Sequence, residues 1–456
     1  MRRVVKVSRI RIIITIIVVV LTTLLTGCTG KEPNEIAYVV ALGIDSTDDD
    51  NYKITIQYAN TTQISGGASE SGGKAGSEIV DNVTIEAPNI YAGVGLANNI
   101  VSKSFSMSHA KLIVFSKEIA EKGVKDMIET LVRSEEIRPD VFIAVANTTA
   151  NDYLTSVNPE MEVNPAQYYQ LIYQKNQLVG IPDGQLREFF TGLYTDNYDS
   201  ILPVAGVIEG SGGNSQNDDK GQSKDGQNEG SEGSSESLDS FESKSSNEKD
   251  ENEKEKDAEK NTSKYEYDIK NYVGGETAIE KKNKAEAIGA AVFEKDKMVG
   301  ELGEVETEIC NMLKGDYTYS YLTYYNNDTP DIPITVKTTQ QKKPKYKIDT
   351  DKKTVDIELY IESDLYSLPA DYNVENKIED FERDVANYTS SACTEFINNF
   401  TKKYNSDILK LNEKIKYKFL TNNQYNWFKK NVGWSEYKFS VCTNFKVRRT
   451  GLIVRE

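Results

Sequence analysis

With 456 residues, of which 38% are hydrophobic and 9% aromatic, the chain has the length and material for two or three domains with real cores. A formal charge of −17 disfavours nucleic acid and anionic lipid headgroups as general partners. The single histidine, His109, excludes every multi-histidine metal site and any Ser-His-Asp or Cys-His arrangement that needs another imidazole.

The N-terminus carries Arg2, Arg3, Lys6, Arg9 and Arg11 and no acid, followed by an apolar run over residues 12–25 broken only by threonines. This is the layout of a secretory signal, and the run is shorter than the ~20 residues of a membrane-spanning helix. Leu25-Thr26-Gly27-Cys28 resembles the lipobox of bacterial lipoproteins, in which the Cys after a small pair is lipidated. On that reading residues 1–27 are a signal peptide and Cys28 carries the lipid; the alternative is a short anchor that is never cut. Removing residues 1–27 takes away five basic groups, so attachment to a membrane is expected through lipid rather than through a basic patch.

Residues 29–35 read as a tether, with Pro33 discouraging helix. Residues 36–44 and 52–58 read as a hairpin around an acidic turn over 45–51, followed by a Gly/Ser-rich loop over 65–77 and a strand over 80–85. Pro88 opens a helix bearing Ile90, Val94, Ala97 and Val101. Strands are predicted over 110–116 and 141–146, with one helix over 118–133 between them. Weaker helices over 165–174 and 185–194 precede a strand over 201–208. Residues 211–264 contain only Leu238, Phe241 and Ala258 as apolar residues, with fifteen acids against eight bases, and are expected to be a disordered insertion.

Beyond it, a hairpin is predicted over 285–294 and 297–299, a helix over 303–313, and strands over 317–325, 334–347 and 354–362. The longest helix, over 374–404, has an apolar stripe of Ile378, Phe381, Val385, Tyr388, Ala392, Phe396 and Phe400 that should pack on a sheet. Shorter helices over 409–419 and 424–430 lead to a final strand over 436–448. Together these elements predict an α+β protein of several domains, with mixed β-sheets packed with helices and the long C-terminal helix on an antiparallel sheet.

No catalytic constellation stands out. His109 precedes a strand and is expected to make a structural hydrogen bond. Gly93-Val94-Gly95 lies inside a helical pattern and lacks the third glycine of a dinucleotide loop. The acidic turn over 45–51 could attract a cation but lacks the glycine and terminal Glu of an EF-hand loop. Cys310, Cys393 and Cys442 are far apart and are expected to be buried thiols acting as small hydrophobes, with one disulfide as the alternative. No catalytic, cofactor-binding or metal-binding residue is assigned.

Several stretches together resemble the Ger(x)C family, the C-subunit lipoproteins of spore germinant receptors. They are Leu42-Gly43-Ile44-Asp45 in the first hairpin, Ser108-His109-Ala110-Lys111, Arg138-Pro139-Asp140, and the Gly-x-Ala-Val-Phe-like hairpin over 288–300. The helix over 304–313, the region of Trp427 and Trp434, and the ending Arg448-Arg449-Thr450-Gly451-Leu452-Ile453 complete the set. The resemblance implies an N-terminal germinant-receptor domain over 29–208 and a C-terminal one over 265–456. It also implies a non-catalytic lipoprotein without cofactor on the outer face of the spore inner membrane, working with two integral membrane subunits. The rival reading from another class is a lipid-anchored solute-binding protein of a transporter, which should show two similar α/β lobes and a hinge.

Overall fold

Strand β1 (Ile36–Ser46) is buried along most of its length because it lies inside a sheet covered on both faces. It pairs antiparallel with β2 (Tyr52–Ala59) and parallel with β5 (Leu112–Ser116). The computed structural model describes residues 13–17, 35–49, 51–59, 80–158, 162, 164–174, 180–195, 197–208, 271–277, 283–326, 329–367, 377–404 and 406–450. Residues 13–17 are helical. The rest of the signal peptide, Cys28, the tether over 29–34, the loop over 65–77, the insertion over 211–264 and the tail beyond Thr450 lie outside the described residues. Among the described residues no helix is long and apolar enough to cross a membrane.

The first sheet has nine strands. Its main path runs β3 (Val80–Ala87), β2, β1, β5, β6 (Phe142–Ala146), β7 (Ile201–Val207), β8 (Ala285–Glu294) and β9 (Lys297–Leu302), and β4 (Ser104–Ser106) pairs with β1. Side chains alternate between two cores, with Ile113, Phe115, Ile143 and Val145 on one face and Leu112, Val114, Phe142 and Ala144 on the other. A register shift between Val39 and Ala41 changes the parity of β1, so Val39, Leu42 and Ile44 reach the same core. Helices α1 (Ile90–Ala97), α2 (Lys117–Lys122), α3 (Lys125–Val132) and α6 (Leu186–Thr195) cover the first face. Helices α4 (Ala150–Ser156) and α5 (Pro165–Tyr173) cover the second.

The single helix expected over 118–133 is two helices. Gly123 adopts φ +125°, which an L side chain rarely takes, and Val124 N–H donates to the Asp296 carbonyl at 3.0 Å, drawing the break onto the β8–β9 turn. Helix α4 was not expected from periodicity. Its cap is Thr149, whose hydroxyl accepts from Asp152 N–H at 3.0 Å.

The second sheet contains β10 (Tyr319–Asn326), β11 (Thr329–Gln340), β12 (Lys345–Asp349), β13 (Thr354–Ser367) and β14 (Lys438–Arg449). The strand expected over 334–347 is interrupted between β11 and β12, where Pro344 has no N–H for a ladder. β12 pairs with residues 354–358 of β13 and β11 with residues 361–367, so both lie along one edge of β13. These pairs are antiparallel, and β14 adds to the other edge of β13 in parallel. Val355, Ile357, Leu359 and Ile361 are all buried on one face, as the alternation predicts.

Helix α8 (Ile378–Lys403), after α7 (Glu304–Lys314), packs against this sheet through Phe381, Val385, Tyr388, Phe396 and Phe400. Ile378 and Ala392 are half-buried, and Cys393 and Ile397 fill the stripe beside them. The helix also covers the outer edge of β14. Backbone N–H groups of Phe439, Val441, Thr443 and Val447 donate to side-chain oxygens of Asn398, Thr394, Ser390 and Glu382 at 2.8–3.1 Å. Four helical residues rise ~6 Å and two strand residues ~6.6 Å, so the two repeats stay in step. An edge that would otherwise invite pairing with another strand is thereby closed.

Candidate functional site

Cys28, the one site residue assigned from sequence, lies outside the described residues. The other candidates resolve into structural roles. His109 is exposed, its Nδ1 lies 3.0 Å from Ser108 Oγ, and its ring meets Tyr38 edge-on at 4.8 Å. A Cβ on Gly93 would sit 2.6 Å from Ile54 Cδ1, so this glycine lets α1 lie close on β2. Asp45, placed by sequence in an acidic turn, belongs to β1 and is buried. Its carboxylate accepts from Ala150 N–H at 2.6 Å and Asn151 N–H at 3.0 Å, holding the start of α4, and burial raises its pKa above the usual 3.8.

Cys310 and Cys393 are buried free thiols, and burial pushes both up to about 12. Cys442 is free but exposed, a correction to the expectation of three buried thiols. It sits on β14, where alternation turns it away from the core that takes Val441. Among the described residues no group of His, Cys, Asp and Glu could hold a metal ion.

Among the described residues a polar cleft lies at the end of the first sheet where β1, β5, β6 and β7 begin, since these four strands run parallel. A cavity of about 530 Å³ there is lined by Tyr198, Asp199, Lys295, Asp407, Lys429 and Trp434, among others. Asp199 Oδ1 accepts from Lys295 N–H at 2.9 Å and its Oδ2 from Asp407 N–H at 2.9 Å. Asp407 Oδ1 and Oδ2 accept from Leu411 and Asn412 N–H, each at 2.8 Å, at the start of α9 (Leu411–Ile415). Burial pushes the Asp407 carboxyl up to about 7 against the pull of those two donors, with the Asp199 charge adding to the rise. Beside it, Lys410 pairs with Glu188 at 2.9 Å and stands 4.1 Å over the Tyr198 ring.

This arrangement joins the segment ahead of β7 to the segment after α8. Both carboxylates of the pair accept from backbone N–H groups, and Ser406 Oγ donates to the Phe293 carbonyl at 3.0 Å. Its chemistry is that of a clasp. Sequence reasoning missed it because isolated Asp residues in an acidic chain carry no signal of burial.

Comparison with known proteins supplies the functional context. The family model "Spore germination protein N-terminal domain" matches residues 30–207, and "Spore germination B3/GerAC like, C-terminal" matches residues 288–451. Spore germination protein KC of Bacillus subtilis (strain 168) is 26% identical over 174 residues, 35% of this chain and 42% of that protein. The putative spore germination protein YfkR of the same organism is 28% identical over 145 residues, 32% of this chain and 37% of that protein. These alignments span less than half the length of either relative. The crystal structure of the GerBC protein aligns over 89% of this chain and 96% of that one, with a TM-score of 0.47 and 15% identity. With two family models in order along most of its length, the chain belongs to the Ger(x)C family of spore germination proteins.

Proposed function

We propose that the chain is the lipid-anchored, non-catalytic C subunit of a nutrient germinant receptor. It would be held by lipid on Cys28 at the outer face of the spore inner membrane and act with two integral membrane subunits. What carries this reading is the order of signals along the chain: the N-terminal family match begins at residue 30, directly after Leu25-Thr26-Gly27-Cys28, and the C-terminal match follows. The lone histidine and the use of Asp199 and Asp407 as backbone acceptors support a binding and assembly role.

Replacing Cys28 by Ala tests the anchor. The variant should stay unacylated, leave the membrane fraction of spores or remain as uncleaved precursor, and lower germination through this receptor. A fully membrane-retained, processed and functional Cys28→Ala protein would sink the reading. Co-purification of the wild-type protein from spore membranes with two multi-span subunits tests the partners, and recovery with transporter components instead would favour the solute-binding alternative.

A further inference from the structure

We infer that the helical corner made by α9, the 3-10 turn over residues 416–418 and α10 (Asn422–Asn431) is a second membrane contact that seats on an anionic lipid surface. Tyr417, Leu420 and Trp427 are 80%, 94% and 64% exposed. Three such side chains within eleven residues exceed the scattered apolar exposure of an ordinary surface. They stand on a packed base, because the Phe419 ring lies 5.7 Å from Tyr425 and 5.1 Å from Phe428, and Phe428 lies 6.0 Å from Trp434. With Tyr425 and Phe428 buried, helical periodicity turns Trp427 and Lys430 outward.

The charge of this corner is opposite to that of the chain. Residues 410–430 contain six lysines and one acid, Glu413, in a protein of net −17. Lys416, Lys418 and Lys430 are exposed beside the apolar side chains. Tyr and Trp at the headgroup level with lysines nearby is the composition that suits a bilayer interface carrying anionic lipid.

Placement agrees with composition. Lys429 Nζ donates to the Thr195 carbonyl at 3.4 Å and to Asn197 Oδ1 at 3.2 Å, and Tyr425 Oη donates to Asn197 Oδ1 at 3.0 Å. Residues 195–197 precede β7, so the corner lies at the end of the sheet where β1 also begins. Ile36 follows Cys28 by eight residues, a reach of at most roughly 29 Å, and β7 is three strands from β1, about 15 Å away. A lipid on Cys28 therefore holds this end of the molecule near the bilayer. The inference rests on the proposed anchor for that proximity alone.

The two tryptophans of the chain make the test direct, since Trp434 is 8% exposed and Trp427 is the accessible one. Full-length acylated protein is incorporated into phosphatidylcholine vesicles with or without phosphatidylglycerol, with bromine on the acyl chains as a fluorescence quencher. Sedimentation with the vesicles reads the Cys28 anchor, and quenching reads the face, so the two readings fail separately. Quenching should be strong with phosphatidylglycerol, fall several-fold without it or in high salt, and vanish in Trp427→Phe while Trp434 emission persists. Lys416→Gln with Lys430→Gln should weaken docking by about fivefold for each lysine lost. Vesicle-bound protein with Trp427 unquenched in both lipids would overturn the contact and leave the face to a protein partner.

Discussion

Two buried aspartates show how a carboxylate acquires a role that its sequence neighbourhood hides. Asp45 holds the start of α4 and Asp407 the start of α9, each by accepting from two consecutive backbone N–H groups. For Asp407 the folded-state pKa of about 7 lies above its ordinary 3.8, so the folded protein retains a proton that the unfolded chain releases. Its contribution to stability is complete below about pH 4 and is lost as pH rises through 7. Three pKa units correspond to about 4 kcal/mol as an upper bound. Asp199 and Lys414 are the charges facing it, and burial lowers the Lys414 pKa. Asp407→Asn should therefore be less stable than wild type near pH 5, where an amide supplies one acceptor for two donors. It should approach or overtake wild type near pH 8. Thermal melting at pH 5, 6, 7 and 8 measures this, and parallel curves for the two proteins would refute it. Glu308, also pushed up to about 7 by burial, contributes a slope of the same sign in both proteins and cancels in the comparison.

At the scale of elements, the α8–β14 contact combines a legible part with a hidden one. The apolar stripe is plain in the sequence because aromatic and β-branched residues recur every three or four positions. The second stripe, Glu382, Ser390, Thr394 and Asn398, reads as a solvated polar face, and only the fold shows that it meets the edge of β14. Phe396→Ala removes a buried aromatic packed at 5.7 Å on Phe400 and should cost ~3–5 kcal/mol. Thr394→Val keeps the shape but leaves Val441 N–H without its acceptor, and should cost about 1–3 kcal/mol. Arg383→Gln breaks an exposed ion pair with Asp380 at 2.5 Å and should fall within ~0.5 kcal/mol of wild type. Urea unfolding of the three variants checks the order; a Thr394→Val protein as stable as Arg383→Gln would show that the edge contact contributes nothing. The elements that sequence misplaced share a cause. The break at Gly123, the interruption before β12 and the seven-residue α4 are each set by a local conformation or a cap rather than by periodicity. The Thr149-x-x-Asp152 spacing was the available signal for α4.

Over the whole molecule, net charge is an average that conceals a basic, aromatic corner, and chain order conceals the continuity of the first sheet. β7 and β8 are neighbours although residues 208–284 separate them, with Val207 opposite Ala285 and Ile208 N–H donating to the Lys284 carbonyl at 2.8 Å. Both strands, predicted over 201–208 and 285–294, were legible in the sequence; the packing that secures their pairing was not. Gly274 N–H donates to the Ile288 carbonyl at 3.1 Å, and a Cβ on Gly206 would sit 2.1 Å from Gly275 N, so residues 274–275 lie tight against both strands. Residues 211–264 can then be removed while the segment that packs on the sheet is kept. Shortening the connection about threefold lowers the closure entropy by about 1 kcal/mol in favour of the folded state. The deletion variant should show unchanged circular dichroism and a melting temperature within ~2–4 °C of wild type, shifted upward if at all. A fall of many degrees would mean that the insertion contributes packing to the sheet, and that the β7–β8 pairing needs it.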